Sequence, residues 1–318
     1  MSKLIVAPPA SLENDSDLKQ NLVDTFPKQN LVDTLRSYGL GHAVPILDPS
    51  YSSLSTSEQY EILKSRYEQK LITDGLESGH FVLNDKGEVV IAISQPLPSV
   101  AGFIFEAFTV RRFNERKDSV GKKAFLWATE RSKVKLAFLE QFHAIGTGFP
   151  STSSRLPQLY NPTLRQFDVI FYRMNPQQNV PEPATVIQTT NPAGVQVKAI
   201  RGNEKSEIID PLLQGKYRRV LTYLRHPDGR LSYEACIDLS RNMYQAGQIG
   251  RDQLHFLEEA IVSPEMLVID QREVDEYYRY IQAWYQHQAA QDEIILSGLG
   301  IQITERKYKG SLITTITA

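Results

Sequence analysis

The order of apolar and polar positions divides the chain into an early helical part, a strand-rich middle and a long helical end. Between Ser55 and Leu76, the side chains of Tyr60, Leu63, Tyr67 and Leu71 recur every three or four residues and line one helix face, with Ser55 or Ser57 available as a cap. Phe81-Val82-Leu83 and Val89 to Ile93 are β-rich runs around Asn84-Asp85-Lys86-Gly87, the pattern of a hairpin. From Val100 to Phe113 the residues suit a buried helix, with Phe105, Phe108 and Arg112 along its faces and Glu106 as its only acidic side chain. Residues 144–166, rich in Gly, Ser, Thr and Pro, read as a long loop of the kind that often carries function.

Three strand-like runs follow: Phe167 to Tyr172, Ala184 to Gln188, and Gly194 to Ile200. The first connection is turn-rich through Pro176, Pro181 and Pro183. A helix from Glu204 to Gln214 leads to a further strand, Arg218 to Leu224, ended by His226-Pro227-Asp228-Gly229. Strand, strand, helix, strand is the order of a mixed sheet with a crossover. Beyond Ser232 the pattern is helical to Gln291, with breaks at Gly247–Gly250 and Ser263-Pro264, and Gly300–Thr304 with Leu312–Ile316 predicts a terminal hairpin.

Composition adds limits. Of 318 residues, 41% are hydrophobic and 23% charged, which fits a folded globular chain and excludes a fibrous or largely disordered one. The expected organisation is a loose arm over 1–16, a helical and hairpin region over 17–98, a core over 99–230 and a C-terminal helical module over 231–318. Lys19–Thr25 recurs as Lys28–Thr34, too short a unit in too few copies for a solenoid. The apolar run at Ile5 to Pro9 is too short for a signal peptide, and no segment reaches the roughly 18 to 20 apolar residues of a spanning helix. With Cys236 as the single cysteine, an internal disulfide is excluded, and a cytoplasmic location without membrane contact is expected. A net charge of −2 gives the whole molecule no strong field for polyanions but leaves room for a local basic groove.

The chemistry concentrates in four residues. Glu106 lies in an apolar helix, Asp168 near the start of a strand, and Gln196 and Lys198 two apart on a later strand, where they face the same side. If the two strands are neighbours, these polar groups converge at the edge of an apolar sheet, where an unpaired charge is costly to bury. The plainer alternative is that Asp168 caps a turn or pairs with Arg165, Lys198 extends its stem from an edge strand, and Gln196 is ordinary alternation.

The order Glu106, Asp168 in Phe-Asp-Val-Ile, and Gln196-Val197-Lys198 resembles the PD-(D/E)XK, or restriction-endonuclease-like, nuclease superfamily in its Gln-x-Lys variant. The resemblance spans residues 100 to 225. It implies an α/β fold with a mixed central sheet flanked by helices, and Mg²⁺ or Mn²⁺ held by Asp168, Glu106, the Gln196 side chain and the Val197 carbonyl. Lys198 would orient or activate the attacking water, and the activity would be hydrolysis of a phosphodiester in nucleic acid, most naturally DNA. Phe167 stands where the family has proline, and Gln196 follows Asp168 by 28 positions, which calls for an extra strand or extended hairpin between them.

Arg111, Arg112, Lys122, Lys123, Arg218 and Arg219 are the basic residues expected to meet phosphates, with a solvated face as the plainer reading. Tyr277, Tyr278, Tyr280, Trp284 and Tyr285 suit burial against other helices or a homodimer or protein partner better than stacking on bases. Two rivals to the nuclease stand: a noncatalytic interaction or assembly subunit, and a nuclease fold that binds nucleic acid without cutting it. The six histidines have neither Cys partners nor His-x-x-x-His spacing for zinc, and Gly146-Thr147-Gly148 lacks the lysine of a phosphate-binding loop.

Overall fold

The computed structural model describes residues 70–83, 89–91, 96–164, 166–298, 302–308 and 311–317. The arm over 1–16, the 19–34 repeat and most of the first expected helix lie outside these residues. The end of that helix is present as α1 (70–77), followed by the hairpin β1 (Phe81–Leu83) and β2 (Val89–Ile91) in antiparallel register, Phe81 opposite Ile91.

Helix α2 (Leu97–Glu115) buries residues on every side, from Val100 to Phe113, as an almost wholly apolar helix must. A widened π turn over Lys117–Gly121 joins it to α3 (Lys122–Thr129). Gly121 is needed in that turn, because a Cβ there would lie 2.4 Å from the Phe113 carbonyl oxygen.

The short α4 (Leu136–Leu139) precedes a correction to the sequence reading. Residues 143–146, expected at the start of a loop, form edge strand β3 (His143–Gly146), and α5 (Pro150–Arg155) follows. On the edge of β3 turned away from its neighbour, the Asn114 side chain of α2 accepts from the Ala144 N–H and donates to the Ala144 carbonyl, each at 2.8 Å.

Strand β4 (Val169–Met174) starts one residue beyond Asp168. The expected strand at Ala184–Gln188 is replaced by β5 (Pro181–Pro183), paired only with β4, where a proline needs no second partner. The chain after it folds back through a turn, in which the Val186 N–H donates to Asn191 and Gln188 takes a φ of 59°. Strand β6 (Gly194–Lys198) is shorter than its apolar run and ends at the lysine. The crossover combines a π turn over Lys205–Ile209 with α6 (Asp210–Leu213). Pro211 has no N–H for the Glu207 carbonyl, so regular winding fails just before it. Strand β7 (Val220–Thr222) is followed by α7 (Ser232–Gln245) and α8 (Arg251–Ala260). A β-branched pair inside the expected helical end then becomes β8 (Ile261–Val262). Helix α9 (Gln271–Gly298) leads to the terminal hairpin β9 (Gln302–Tyr308) and β10 (Ser311–Thr317).

Among the described residues the central sheet runs β3-β4-β6-β7-β8, with β5 beside β4. Pairing is antiparallel from β3 to β6 and parallel from β6 to β8, giving the mixed α/β sheet that the pattern predicted. Its faces are covered by two apolar clusters. Val195, Val197 and Leu221 meet Phe105, Phe108 and Tyr223 on one side, while Val220 and Ile261 meet Ile208, Leu212 and Leu257 on the other. Residues after 231 do not stand apart from this core: β8 extends the sheet, and Val274 and Tyr277 of α9 sit in the first cluster. No helix among the described residues is long and apolar enough to cross a membrane.

Candidate active site

Strands β4 and β6 part company at Asp168. Its backbone N–H still donates to the Val195 carbonyl at 3.0 Å, and its carbonyl accepts from the Thr147 N–H at 2.9 Å, so the residue is fixed from both sides. One step further along β6, the Val197 N–H donates to Asp168 Oδ2 at 2.8 Å, where a continuing strand would have offered a backbone carbonyl. The Gln196 amide donates to the same oxygen at 2.6 Å. N–H and C=O of one strand residue leave on the same edge, so the Val197 carbonyl faces the same opening.

Gln196 is 8% exposed and its side-chain oxygen is buried without a hydrogen-bond partner. Buried polar atoms are ordinarily satisfied, so this oxygen marks a place for a further group. Glu106, in the middle of α2, interacts electrostatically with both Asp168 and Lys198. Burial pushes its carboxyl well above the ordinary value, the Asp168 charge pushes the same way, and Lys198 pulls it back. Burial likewise lifts Asp168, to about 6, against the Val197 N–H, the Lys198 charge and the Gln196 amide, which all favour the carboxylate. The site therefore holds two carboxyls in a setting that disfavours both charges, a condition relieved by a cation.

Lys198 ends β6. Its Nζ lies 3.2 Å from Glu207 Oε2 and 5.1 Å from the centre of the Tyr217 ring. Burial works against its charge, but Tyr217 and Glu207 more than offset that, and its pKa stands above that of an ordinary lysine. Neither neighbour stands out in the sequence. Glu207 falls on an irregular turn and Tyr217 in a short connection, so neither has a periodic pattern to aim it.

Among the described residues no three His, Cys, Asp or Glu side chains gather into a metal cage. The donors at the opening do fit a hard cation that keeps part of its water shell: two carboxylates, an amide oxygen lacking a partner and a backbone carbonyl. Mg²⁺ and Mn²⁺ belong to that class.

The basic residues have other occupations. Arg111 makes a forked pair with Asp74, at 2.8 and 2.9 Å, and Arg112 is 4% exposed and bonded to Glu273 at 2.7 Å. Arg218 and Arg219 share Glu130, with Arg219 also buried over Trp127. Arg111, Arg112 and Arg219 are spent on partners inside the fold, unlike the phosphate-facing role that sequence suggested, whereas Arg218 keeps a 38% exposed side chain in its surface pair with Glu130. Lys122 is half-buried and Lys123 exposed at the start of α3. Tyr277 and Tyr278 are buried in the core, and Tyr280, Trp284 and Tyr285 pack against it. The Cys236 thiol is buried and pushed up to about 12, an unreactive state. The chain matches no family model, no curated protein and no solved structure.

Proposed function

We propose that this chain is a metal-dependent phosphodiester hydrolase acting on nucleic acid, DNA in the first instance, built on a restriction-endonuclease-like core. One observation carries the reading. Where β4 and β6 separate, the Gln196 amide and the Val197 N–H hold the Asp168 carboxyl beside the unpartnered Gln196 oxygen, and the Asp168 carboxyl interacts electrostatically with Glu106 and Lys198. The order of elements agrees with it: α2, β3, β4, β6, the crossover over 205–213, then β7 parallel to β6.

Asp168 and Glu106 would hold Mg²⁺ or Mn²⁺ with the Gln196 oxygen and the Val197 carbonyl. Such an ion polarises a phosphoryl oxygen and eases the ionisation of water. Val197 and Gln196 keep the Asp168 carboxylate in a single orientation by donating to one of its oxygens, which leaves the other to turn outward. Lys198 brings a fixed positive charge to the opening, where it stabilises charge developing on the phosphate during attack.

The test is incubation with plasmid and linear DNA in Mg²⁺ or Mn²⁺. Cleavage should appear with either ion and vanish with a chelator. Asp168→Asn and Lys198→Ala should each lower it by about 10²-fold or more, while Lys198→Ala keeps metal binding. Cleavage that persists in Asp168→Asn would sink the assignment. Binding of DNA without cleavage in either ion would favour a nuclease fold that has lost its chemistry.

A further inference from the structure

Lysine carries a flexible four-carbon stem, so a lysine that acts at one point needs something to aim it. Two groups outside the central sheet surround the Lys198 ammonium: the Glu207 carboxylate at 3.2 Å and the Tyr217 ring at 5.1 Å. The lysine is the enclosed member, with its side chain 15% exposed against 49% for Glu207, so the carboxylate closes the solvent side. Glu207 lies in the middle of the π turn over 205–209, a rare winding that recurs at functional sites. Tyr217 is fixed by the same short stretch. The Lys216 and Tyr217 N–H groups both donate to the carbonyl of Pro211, at 2.8 and 3.4 Å, and Pro211 is the residue that interrupts regular winding after Glu207. The short stretch from Glu207 to Tyr217 thus carries both walls around the ammonium.

We propose that Glu207 and Tyr217 are positioning residues for Lys198, fixing where its ammonium sits at the end of β6. This rests on the nuclease reading for its purpose, though not for its geometry. An exposed ion pair by itself contributes little to stability, so a purely structural Glu207 would leave the chemistry unchanged when neutralised.

The experiment uses the full chain with Glu207→Gln, Glu207→Asp, Tyr217→Phe and Tyr217→Leu, each checked for an unchanged melting temperature. On a DNA oligonucleotide with Mn²⁺, Glu207→Gln and Tyr217→Leu should lower kcat by roughly 10- to 100-fold with KM within about threefold. Glu207→Asp should recover part of the loss, and Tyr217→Phe should fall less than Tyr217→Leu because it keeps the ring. The second readout needs no cleavage. In lysine-labelled protein, nuclear magnetic resonance of the Lys198 ammonium, assigned with Lys198→Ala, should show hindered rotation in the wild type and free rotation in Glu207→Gln. Unchanged kcat in a cutting enzyme would overturn the proposal. If the wild type cuts nothing, the nuclease reading fails alone, and the ammonium signal decides: free rotation appearing in Glu207→Gln upholds the positioning, and no change overturns it.

Discussion

At Glu106 and Asp168 the native fold raises both carboxyl pKa values, and this has a definite sign in stability. A carboxyl whose folded pKa exceeds its unfolded one stabilises the fold while protonated, below its ordinary value, and loses that contribution as pH rises through the folded value. The metal-free protein should therefore weaken as pH climbs from about 4 past 6, near which Asp168 titrates. Glu106→Gln removes one of the two charges without changing shape. With chelator present, its melting temperature should exceed that of wild type at pH 7.5, and the gap should close near pH 4. An equal gap at both pH values would contradict the burial argument. Val268 offers a residue-scale contrast with no chemistry: it is β-branched, 44% exposed and has a φ of 63°. Val268→Gly should stabilise by about 0.5–1 kcal/mol in urea unfolding, since glycine adopts that conformation freely but loses more entropy on folding. In the candidate site, the shared side of Gln196 and Lys198 was legible from strand alternation, and Glu106 from being a lone acid in an apolar helix. The arginines were not. Arg111 and Arg112 find Asp74 and Glu273 37 and 161 positions away, and no local pattern announces such partners.

Among the elements, length decided what could be read. Strands β4 and β6 and helices α2, α7 and α9 carry enough residues for a period to show, and the hairpins at 81–91 and 302–317 are marked by their runs. Strands β3 and β8, with four and two residues, are too short for any period and exist because a formed sheet offers partners. The run at Ala184–Gln188 has the right composition but lies where the chain must turn back, and the less promising Pro181–Pro183 takes the free edge. Helix α9 is held to α2 by the buried pair of Arg112 and Glu273, with side chains 4% and 10% exposed. Glu273→Ala leaves the buried guanidinium only its longer 3.6 Å pair with Glu115, with its Nε already lacking a partner, and should cost about 3 kcal/mol in denaturant unfolding. The double variant Arg112→Met with Glu273→Leu should recover most of that loss. A single-variant cost below about 1 kcal/mol would mean that the pair is not what fastens α9.

Over the whole molecule, the sheet is closed to solvent on both faces but has ends, and one of them is β3. A strand at the end of a sheet offers its outward N–H and C=O groups to any extended peptide, and folded proteins guard such rows because pairing there has no natural limit. In this protein Asn114 occupies both outward groups of Ala144, and the Thr152 hydroxyl donates to the Gly146 carbonyl two residues on. The consequence is solubility. Asn114→Ala should leave the chain folded yet able to recruit a second copy strand to strand, so that sedimentation at rising concentration shows more association than in wild type. Such pairing would also bring the Asp168 and Gln196 cluster, two strands away on β6, into each associated copy, linking the state of association to that cluster without altering any residue in it.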